Sequence, residues 1–310
     1  MNILLFGAAG FIGTNLALKL LENSDDQITL VDVNKSYFHP DVQKQKNVSL
    51  VEAAIGEDTD FRQLFAGQDV VYHLVSTTVP TTSNQQVADE LRANVVMTAR
   101  LLDGCVACGV KKVVFISSGG TVYGKEACCP LKEDAPTNPI SSYGIQKITI
   151  EKLLYLYHYM HGLDYRVIRL ANPYGPYQRP NGVLGAVTTF TYKALNREPI
   201  RVYGDGSVVR DFIYIDDAVR GILNIARKDA PYKTFNLGSG CGTSIRQVLA
   251  QIENTLQIPL DIRWEESRPV DVPVNFLDIS RYEEVFGPLS PLTLREGIAK
   301  TAAFMKGNPV

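Results

Sequence analysis

Seven residues near the start of the chain limit its fold more than any others: Gly7-Ala8-Ala9-Gly10-Phe11-Ile12-Gly13. They follow an apolar run at 3–6 that reads as a buried strand, and they open a helical pattern over 11–21. A strand, a glycine turn and a helix in this order offer free backbone N–H groups and the positive end of a helix dipole to an anion. The expected ligand is the pyrophosphate of a dinucleotide. Gly7 permits the tight turn, Gly10 lets the backbone approach the phosphates, and Gly13 lets the helix pack on the sheet; Phe11 and Ile12 complete the floor. Asp32 ends the second predicted strand, near the offset of about 20 residues for an acid that accepts from ribose hydroxyls. Its charge repels a 2′-phosphate, so NAD is expected, with nearby Lys35 keeping NADP as the alternative.

The rest of the first half repeats that rhythm. Short β-rich runs at 28–31, 48–51, 70–74, 113–117 and 167–170 are separated by helical stretches near 61–66, 87–108 and 142–161. Alternation of this kind predicts an α/β, Rossmann-type doubly wound parallel sheet. After about Ala171 the texture changes. Asn172-Pro173-Tyr174-Gly175-Pro176 and Arg179-Pro180-Asn181-Gly182 are dense in proline and glycine, and the elements become shorter. The expected division is a cofactor-binding domain over 1–170 and a smaller, mainly substrate-binding lobe over 171–310, with some segments returning to the first domain. Ligands of open α/β sheets bind at the carboxyl edge of the strands, which such a lobe would cover.

A net charge of −2 offers no reason to expect nucleic acid or an anionic membrane as a partner. No apolar run reaches the length of a membrane span, and the first residues lack the basic region of a signal peptide, so the expected compartment is the cytosol. Cys105 and Cys108 form a CxxC inside a helical pattern, without a second pair at zinc-ribbon spacing. Cys128, Cys129 and Cys241 add no framework. Reduced thiols are expected, with a redox CxxC as the alternative. The four histidines show no HxxxH or HxH spacing, so no metal site is predicted.

The second chemical signal is Tyr143-Gly144-Ile145-Gln146-Lys147. Tyrosine and lysine four apart share one helix face. An ammonium beside a phenol favours the phenolate, so the pair is expected to act as a base whose pKa is drawn down towards working pH.

With the glycine run, Asp32 and this pair in order, the chain resembles the extended short-chain dehydrogenase/reductases, in the nucleotide-sugar epimerase and dehydratase group. The resemblance continues through His73-Leu74, Asn94, Ser117-Ser118-Gly119-Gly120-Thr121-Val122-Tyr123-Gly124, Val202-Tyr203-Gly204-Asp205-Gly206, Arg210-Asp211-Phe212-Ile213 and Arg268-Pro269-Val270-Asp271. It implies Tyr143 as catalytic base, with Lys147 binding the nicotinamide ribose and lowering the Tyr143 pKa. It also implies that Ile55, Leu74, Asn94 and Ser117 help to hold NAD. Asn172 would contact the sugar or its diphosphate, Arg210 and Arg268 would clamp the diphosphate, Val202 and Tyr203 would lie against the nucleobase, and Asp271 near its ribose. Guanidinium forks suit phosphate oxygens, although Arg210 beside Asp211 also reads as a surface ion pair.

The implied reaction takes the proton of a sugar hydroxyl, at C4, through Tyr143 and a hydride from the carbon that bears it. The keto sugar then turns, and hydride returns to its other face. Three departures bear on this. The family's usual Ser or Thr hydroxyl falls at Gly119, so Ser118, Thr121 or water would replace it. The adenine-binding Asp falls at Ala54. The Asp-Glu pair of the dehydratases falls at Gly120 and Thr121, and the Glu of the decarboxylases at Thr121. A 4-epimerase of a UDP-sugar is therefore expected; a nucleotide-sugar ketoreductase, a dehydratase or decarboxylase, and a non-catalytic dinucleotide sensor stay as alternatives. The loop of hydroxyl residues Thr77, Thr78, Thr81, Thr82 and Ser83 reads either as a wall of the sugar pocket or as a solvated turn. The helix near 142–161 is apolar on more than one face. The resemblance implies that it and the helix near 87–108 form a four-helix bundle with their counterparts in a homodimer, the alternative being a helix packed only within its own chain, and that the product supplies polysaccharide biosynthesis.

Overall fold

The carboxyl end of the glycine strand lies beside a change in chain direction, and the site follows from that. The computed structural model describes residues 1–22, 25–54, 56, 59–80, 82–180, 184–267 and 272–308. In chain order, strands β1 (Asn2–Phe6), β2 (Gln27–Asp32), β3 (Val48–Glu52), β4 (Val70–His73), β5 (Lys112–Ser118) and β6 (Asp164–Leu170) are followed by β7 (Asn172–Tyr174), β8 (Ile200–Tyr203) and β9 (Val209–Tyr214). Strands β10 (Thr234–Leu237), β11 (Gly242–Ser244), β12 (Ile262–Glu265) and β13 (Val274–Asn275) complete the set. The main sheet has seven strands, ordered β10-β6-β5-β4-β1-β2-β3, and every pairing is parallel. Order reverses between β1 and β4. A ligand crevice belongs outside the carboxyl ends of those two strands.

Both faces of this sheet are covered, which is why its strands read as continuous apolar runs. Alternate side chains serve opposite layers. Ile3, Leu5, Leu30, Val114, Ile116 and Ile168 enter one core; Leu4, Phe6, Val31, Val113, Phe115 and Val167 enter the other. The sheet is an α/β, Rossmann-type one, and β10 adds its seventh strand from beyond residue 171. The remaining strands form a four-stranded sheet in which β9 pairs β7, β11 and β13, and a two-stranded sheet of β8 and β12.

The helical stretch read near 87–108 is interrupted. Val87–Leu91 and Met97–Ala107 are α-helical, and Arg92–Val96 between them is a π turn. The extra residue of a π turn re-aims side chains, and such turns gather at functional sites. Here it carries Asn94. The helix Ser142–His161 begins with Ser141, whose hydroxyl accepts the Gly144 N–H, and ends on left-handed Gly162. Among the described residues no helix is long and apolar enough to cross a membrane, and the five cysteines are free thiols.

Candidate active site

Gly7 takes φ +79°, and its N–H donates to the Val31 carbonyl at 2.9 Å, folding the loop onto the end of β2. A Cβ on Gly13 would stand 2.4 Å from the Gly7 oxygen, so no side chain fits there. Gly10 caps the next helix without a side-chain bond, which leaves the first-turn amides for a ligand. Asp32 Oδ2 accepts the Ala9 N–H at 2.9 Å and Oδ1 accepts the Val33 N–H at 2.8 Å. Each carboxylate oxygen keeps further lone-pair capacity for a ribose hydroxyl. A cavity of about 610 Å³ is lined by Gly7, Gly10, Phe11, Asp32, Ala54 and Leu74, together with Tyr177 and Arg179 from the far side. A turn that only glycine can make, a helix end and an acid at the ribose distance fit a dinucleotide.

Some expected cofactor contacts fall elsewhere. Asn94 does not line this cavity; its Nδ2 donates to the Thr77 hydroxyl at 2.8 Å and its Oδ1 accepts the Thr77 N–H at 2.9 Å. It therefore shapes the wall through Thr77, which does line the cavity. Ser117 lines the neighbouring cavity, and its hydroxyl is committed to Glu151 Oε1 at 2.6 Å. Ile55, Arg268, Asp271 and Thr81 lie outside the described residues.

The second cavity, about 430 Å³, is lined by Ser118, Tyr143, Asn172, Val202, Tyr203 and Arg210. Phe11, Gln178 and Leu184 line both cavities, so the two adjoin. The sequence had not singled out Gln178, Phe190 or Arg201, which share this lining. They carry no motif, and only the folding of distant segments over the sheet edge brings them in. Arg210 turns away from Asp211. Its Nη1 donates to the carbonyls of Val209 (2.8 Å) and Val272 (2.6 Å), whereas Asp211 is fully buried and accepts the Ser239 N–H and hydroxyl, both at 2.7 Å. Adjacent residues of β9 face opposite sides.

The Ser/Thr-rich loop divides its hydroxyls. Thr77 faces the cofactor cavity, and Pro80 reaches the second one. Thr78 is buried and bonded to Gln146 Oε1 at 3.0 Å. Thr82 and Ser83 turn back to the Val79 and Pro80 carbonyls. Of these four hydroxyls, two serve the loop itself, one the neighbouring helix and one the cofactor cavity.

At the centre, three successive residues of β5 meet three turns of one helix. Lys147 Nζ donates to the Ile116 carbonyl at 2.9 Å, Ser117 donates to Glu151, and Ser118 faces Tyr143. Positions 143, 147 and 151 repeat every four residues and share the buried helix face. The ammonium lies 5.4 Å from the Tyr143 ring centroid and 4.8 Å from that of Phe115. The expected low phenol pKa is not what these groups produce. Burial pushes the Tyr143 phenol up to about 12, against a hydrogen bond from Ser118 that favours the phenolate. Burial likewise pulls Lys147 down to about 8, against the attraction of Glu151. Burial of the phenol outweighs the Ser118 hydrogen bond, and the Lys147 ammonium is turned to the Ile116 carbonyl.

Of the two side chains that, with water, are candidates to replace the hydroxyl absent at Gly119, Ser118 lines the cavity beside Tyr143 and Thr121 does not. The Thr121 hydroxyl is buried without a hydrogen-bond partner, and Thr121 does not line the cavity. Gly119 itself faces away: a Cβ there would meet Leu277 Cδ1 at 2.6 Å.

Comparison with known proteins agrees with this geometry. The sequence model of the NAD dependent epimerase/dehydratase family matches residues 3–238. A UDP-glucose 4-epimerase of Mycolicibacterium smegmatis is 34% identical over 310 residues, covering 99% of both chains. The structure of UDP-glucose 4-epimerase with UDP-glucose from Thermotoga maritima superposes with a TM-score of 0.92 at 32% identity, covering 99% of both chains. That of UDP-glucuronic acid 4-epimerase from Bacillus cereus, in complex with UDP-glucuronic acid and NAD, gives 0.89 at 27% identity, again with 99% of both covered.

Proposed function

The chain belongs to the NAD dependent epimerase/dehydratase family, and from that premise we propose that it is an NAD-dependent 4-epimerase of a UDP-sugar, acting through a transient 4-keto sugar. The observation that carries this reading is the position of Tyr143: it lines a sugar-sized cavity that adjoins the dinucleotide cavity, with Lys147 packed behind it. Bound in the groove, NAD supplies the hydride acceptor and a positive ring. Gly7, Gly10, Gly13 and Asp32 hold its phosphates and ribose. Tyr143 accepts the proton of the C4 hydroxyl, and Ser118 donates to the oxygen that bears charge. With the phenol pushed up to about 12 by burial, proton removal depends on positive charge arriving beside it. The tyrosine is thus a weak base until the site is loaded. General-base help of this kind contributes about 10²–10⁴-fold. Asn172 contacts the sugar or its diphosphate, Arg210 clamps the diphosphate and the Val202-Tyr203 strand flanks the nucleobase; the family resemblance adds Arg268 for the diphosphate and Asp271 for the ribose.

Positions 120 and 121 are glycine and threonine, so neither offers the carboxyl acid that expulsion of water needs. Incubation with UDP-glucose or UDP-glucuronate without added nicotinamide is the test. Interconversion with the 4-epimer supports the reading. Turnover only with stoichiometric NADH makes the protein a ketoreductase, and NAD binding without turnover makes it a sensor.

The remaining features fit a cytosolic homodimer serving polysaccharide supply, with the cofactor half over 1–170 and the substrate half mainly over 171–310. Tyr155, Tyr159 and Met160 on the Ser142–His161 helix are 59%, 79% and 60% exposed, an apolar strip of the kind a second copy covers. Sedimentation as a monomer at micromolar concentration would remove the dimer from this proposal.

A further inference from the structure

Glu151 lies two turns beyond Tyr143 and one beyond Lys147, on the same helix face. It is 7% exposed, yet an arginine and a serine engage its carboxylate. Arg169 of β6 binds it through Nε at 3.1 Å and Nη2 at 2.7 Å, and Ser117 of β5 donates at 2.6 Å. Ser117 and Arg169 are directly paired in the β5–β6 register, so both side chains reach the same face of the sheet. Arg169 is fixed in turn: Nη1 donates to the Tyr123 hydroxyl at 3.1 Å and to the Glu133 carbonyl at 3.0 Å, and Tyr123 donates to Asn236 at 2.6 Å. A buried carboxylate is thereby clamped to the sheet rather than to the lysine.

We propose that Glu151 and Arg169 are positioning residues for Lys147: Glu151 keeps the ammonium charged, and Arg169 stops it from capturing that ammonium. The inference rests on the assignment of Tyr143 and Lys147 as the proton-transfer pair. A lone buried lysine loses its proton, and a buried lysine beside a loose carboxylate swings into an ion pair. Either outcome strips Tyr143 of its neighbouring charge. The clamp avoids both, and Lys147 stays on the Ile116 carbonyl.

Among the described residues no other charge near Lys147 does this work. On β4, His73 is buried, bonded through Nε2 to Thr98 at 2.9 Å, and driven neutral by burial and by the Lys147 charge itself. On β5, Phe115 offers its ring and Ile116 its carbonyl. On the 87–107 stretch, Asn94 and Thr98 are uncharged, and Glu90 bonds Gln146 on the neighbouring helix face. On the lysine's own helix stand Tyr143 and Glu151.

The test reads Lys147 directly, with or without turnover. The protein is labelled with ¹³C at lysine Cε, and the Lys147 resonance, assigned by its absence in Lys147→Met, is titrated. Glu151→Gln removes the anion but keeps an acceptor for Ser117; its Lys147 midpoint falls, by about one unit or more. Arg169→Met releases Glu151; the midpoint rises by a similar amount, and turnover drops because the ammonium leaves Tyr143. Where Glu151→Gln does not fold, Glu151→Gln/Arg169→Met removes both buried charges and carries a smaller downward shift, because loss of the Arg169 charge offsets part of it. The alkaline limb of kcat is expected to move with each midpoint. Midpoints that stay put, or move the same way in both single variants while only the melting temperature falls, overturn the inference and leave a structural ion pair. Wild-type protein that shows these midpoints but no epimerisation would fail the functional reading alone.

Discussion

Restoring the hydroxyl that the family usually carries, by Gly119→Ser, is expected to destabilise this protein without improving it. The substituent's Cβ would stand 2.6 Å and 2.9 Å from the two methyls of Leu277 and 3.1 Å from the Arg169 oxygen. Carbon pairs sit comfortably at about 3.5–4.0 Å, so roughly an ångström must be found. The Leu277 side chain is a flexible end, but it is fully buried, and its backbone is held on both sides: Leu131 N–H donates to the Phe276 oxygen and Asp278 N–H to the Leu131 oxygen. Forcing extra atoms into such a site costs about 1–3 kcal/mol. At about 2–4 °C per kcal/mol for a chain of this class, the melting temperature falls by several degrees. The new hydroxyl enters the space beside Leu277, not the cavity at Tyr143, so kcat with a UDP-sugar does not rise. The assay pairs thermal unfolding with steady-state epimerisation. Combining Gly119→Ser with Leu277→Ala is expected to cost less than the sum of the two, because the second removes the obstacle to the first. A Gly119→Ser protein that melts at the wild-type temperature and turns over faster would refute the placement of Gly119 and the choice of Ser118.

Tyr143→Phe is expected to keep NAD binding, measured by cofactor content, and to lose about 10²–10⁴-fold in turnover; substantial residual epimerisation would show another base. His73 is held neutral, with its pKa pulled down to about 3 from 6.5 by burial first and Lys147 second. The unfolded chain therefore binds an extra proton between those values, so stability is lost as pH falls through that window, by about 1.4 kcal/mol per unit; His73→Gln is expected to flatten urea midpoints measured from pH 6.5 to 4. Tyr177 crosses the cofactor cavity at φ +66°, with its ring 4.7 Å from His39 and 4.8 Å from Phe304 and its hydroxyl on Asp41. Two aromatic contacts and one hydrogen bond amount to about 1–3 kcal/mol, so Tyr177→Ala is expected to release NAD roughly tenfold faster or more in a displacement experiment, and an unchanged rate would show that this segment does not hold the cofactor.

How much of the site could be read in advance depended on how far apart its parts lie along the chain. The glycine turn, Asp32 and the Tyr143–Lys147 pair are local: one strand, one turn or one helix face brings each together, so spacing alone located them. Asn94 is named as a cofactor contact by the family resemblance, not by any spacing. The π turn at Arg92–Val96 instead aims its amide at Thr77, and no period of 3.6 or 2 encodes that. Gly119 looked like a gap for a related reason. A strand alternates its faces, so whether position 118 or 119 meets Tyr143 depends on which face the helix covers, and that is a property of packing. Glu151 lay within reach of spacing, two turns beyond Tyr143. Its meaning did not, because Arg169 arrives on the next strand and the pairing of Ser117 with Arg169 is set by sheet register. Local spacing thus picked out the groups proposed to touch substrate and cofactor, whereas those proposed to set their charge and aim are joined across the sheet. That division explains why the phenol reads as activated in the sequence and as a weak acid in the folded protein: the sequence displays the lysine four residues away, and the fold adds the burial that outweighs it.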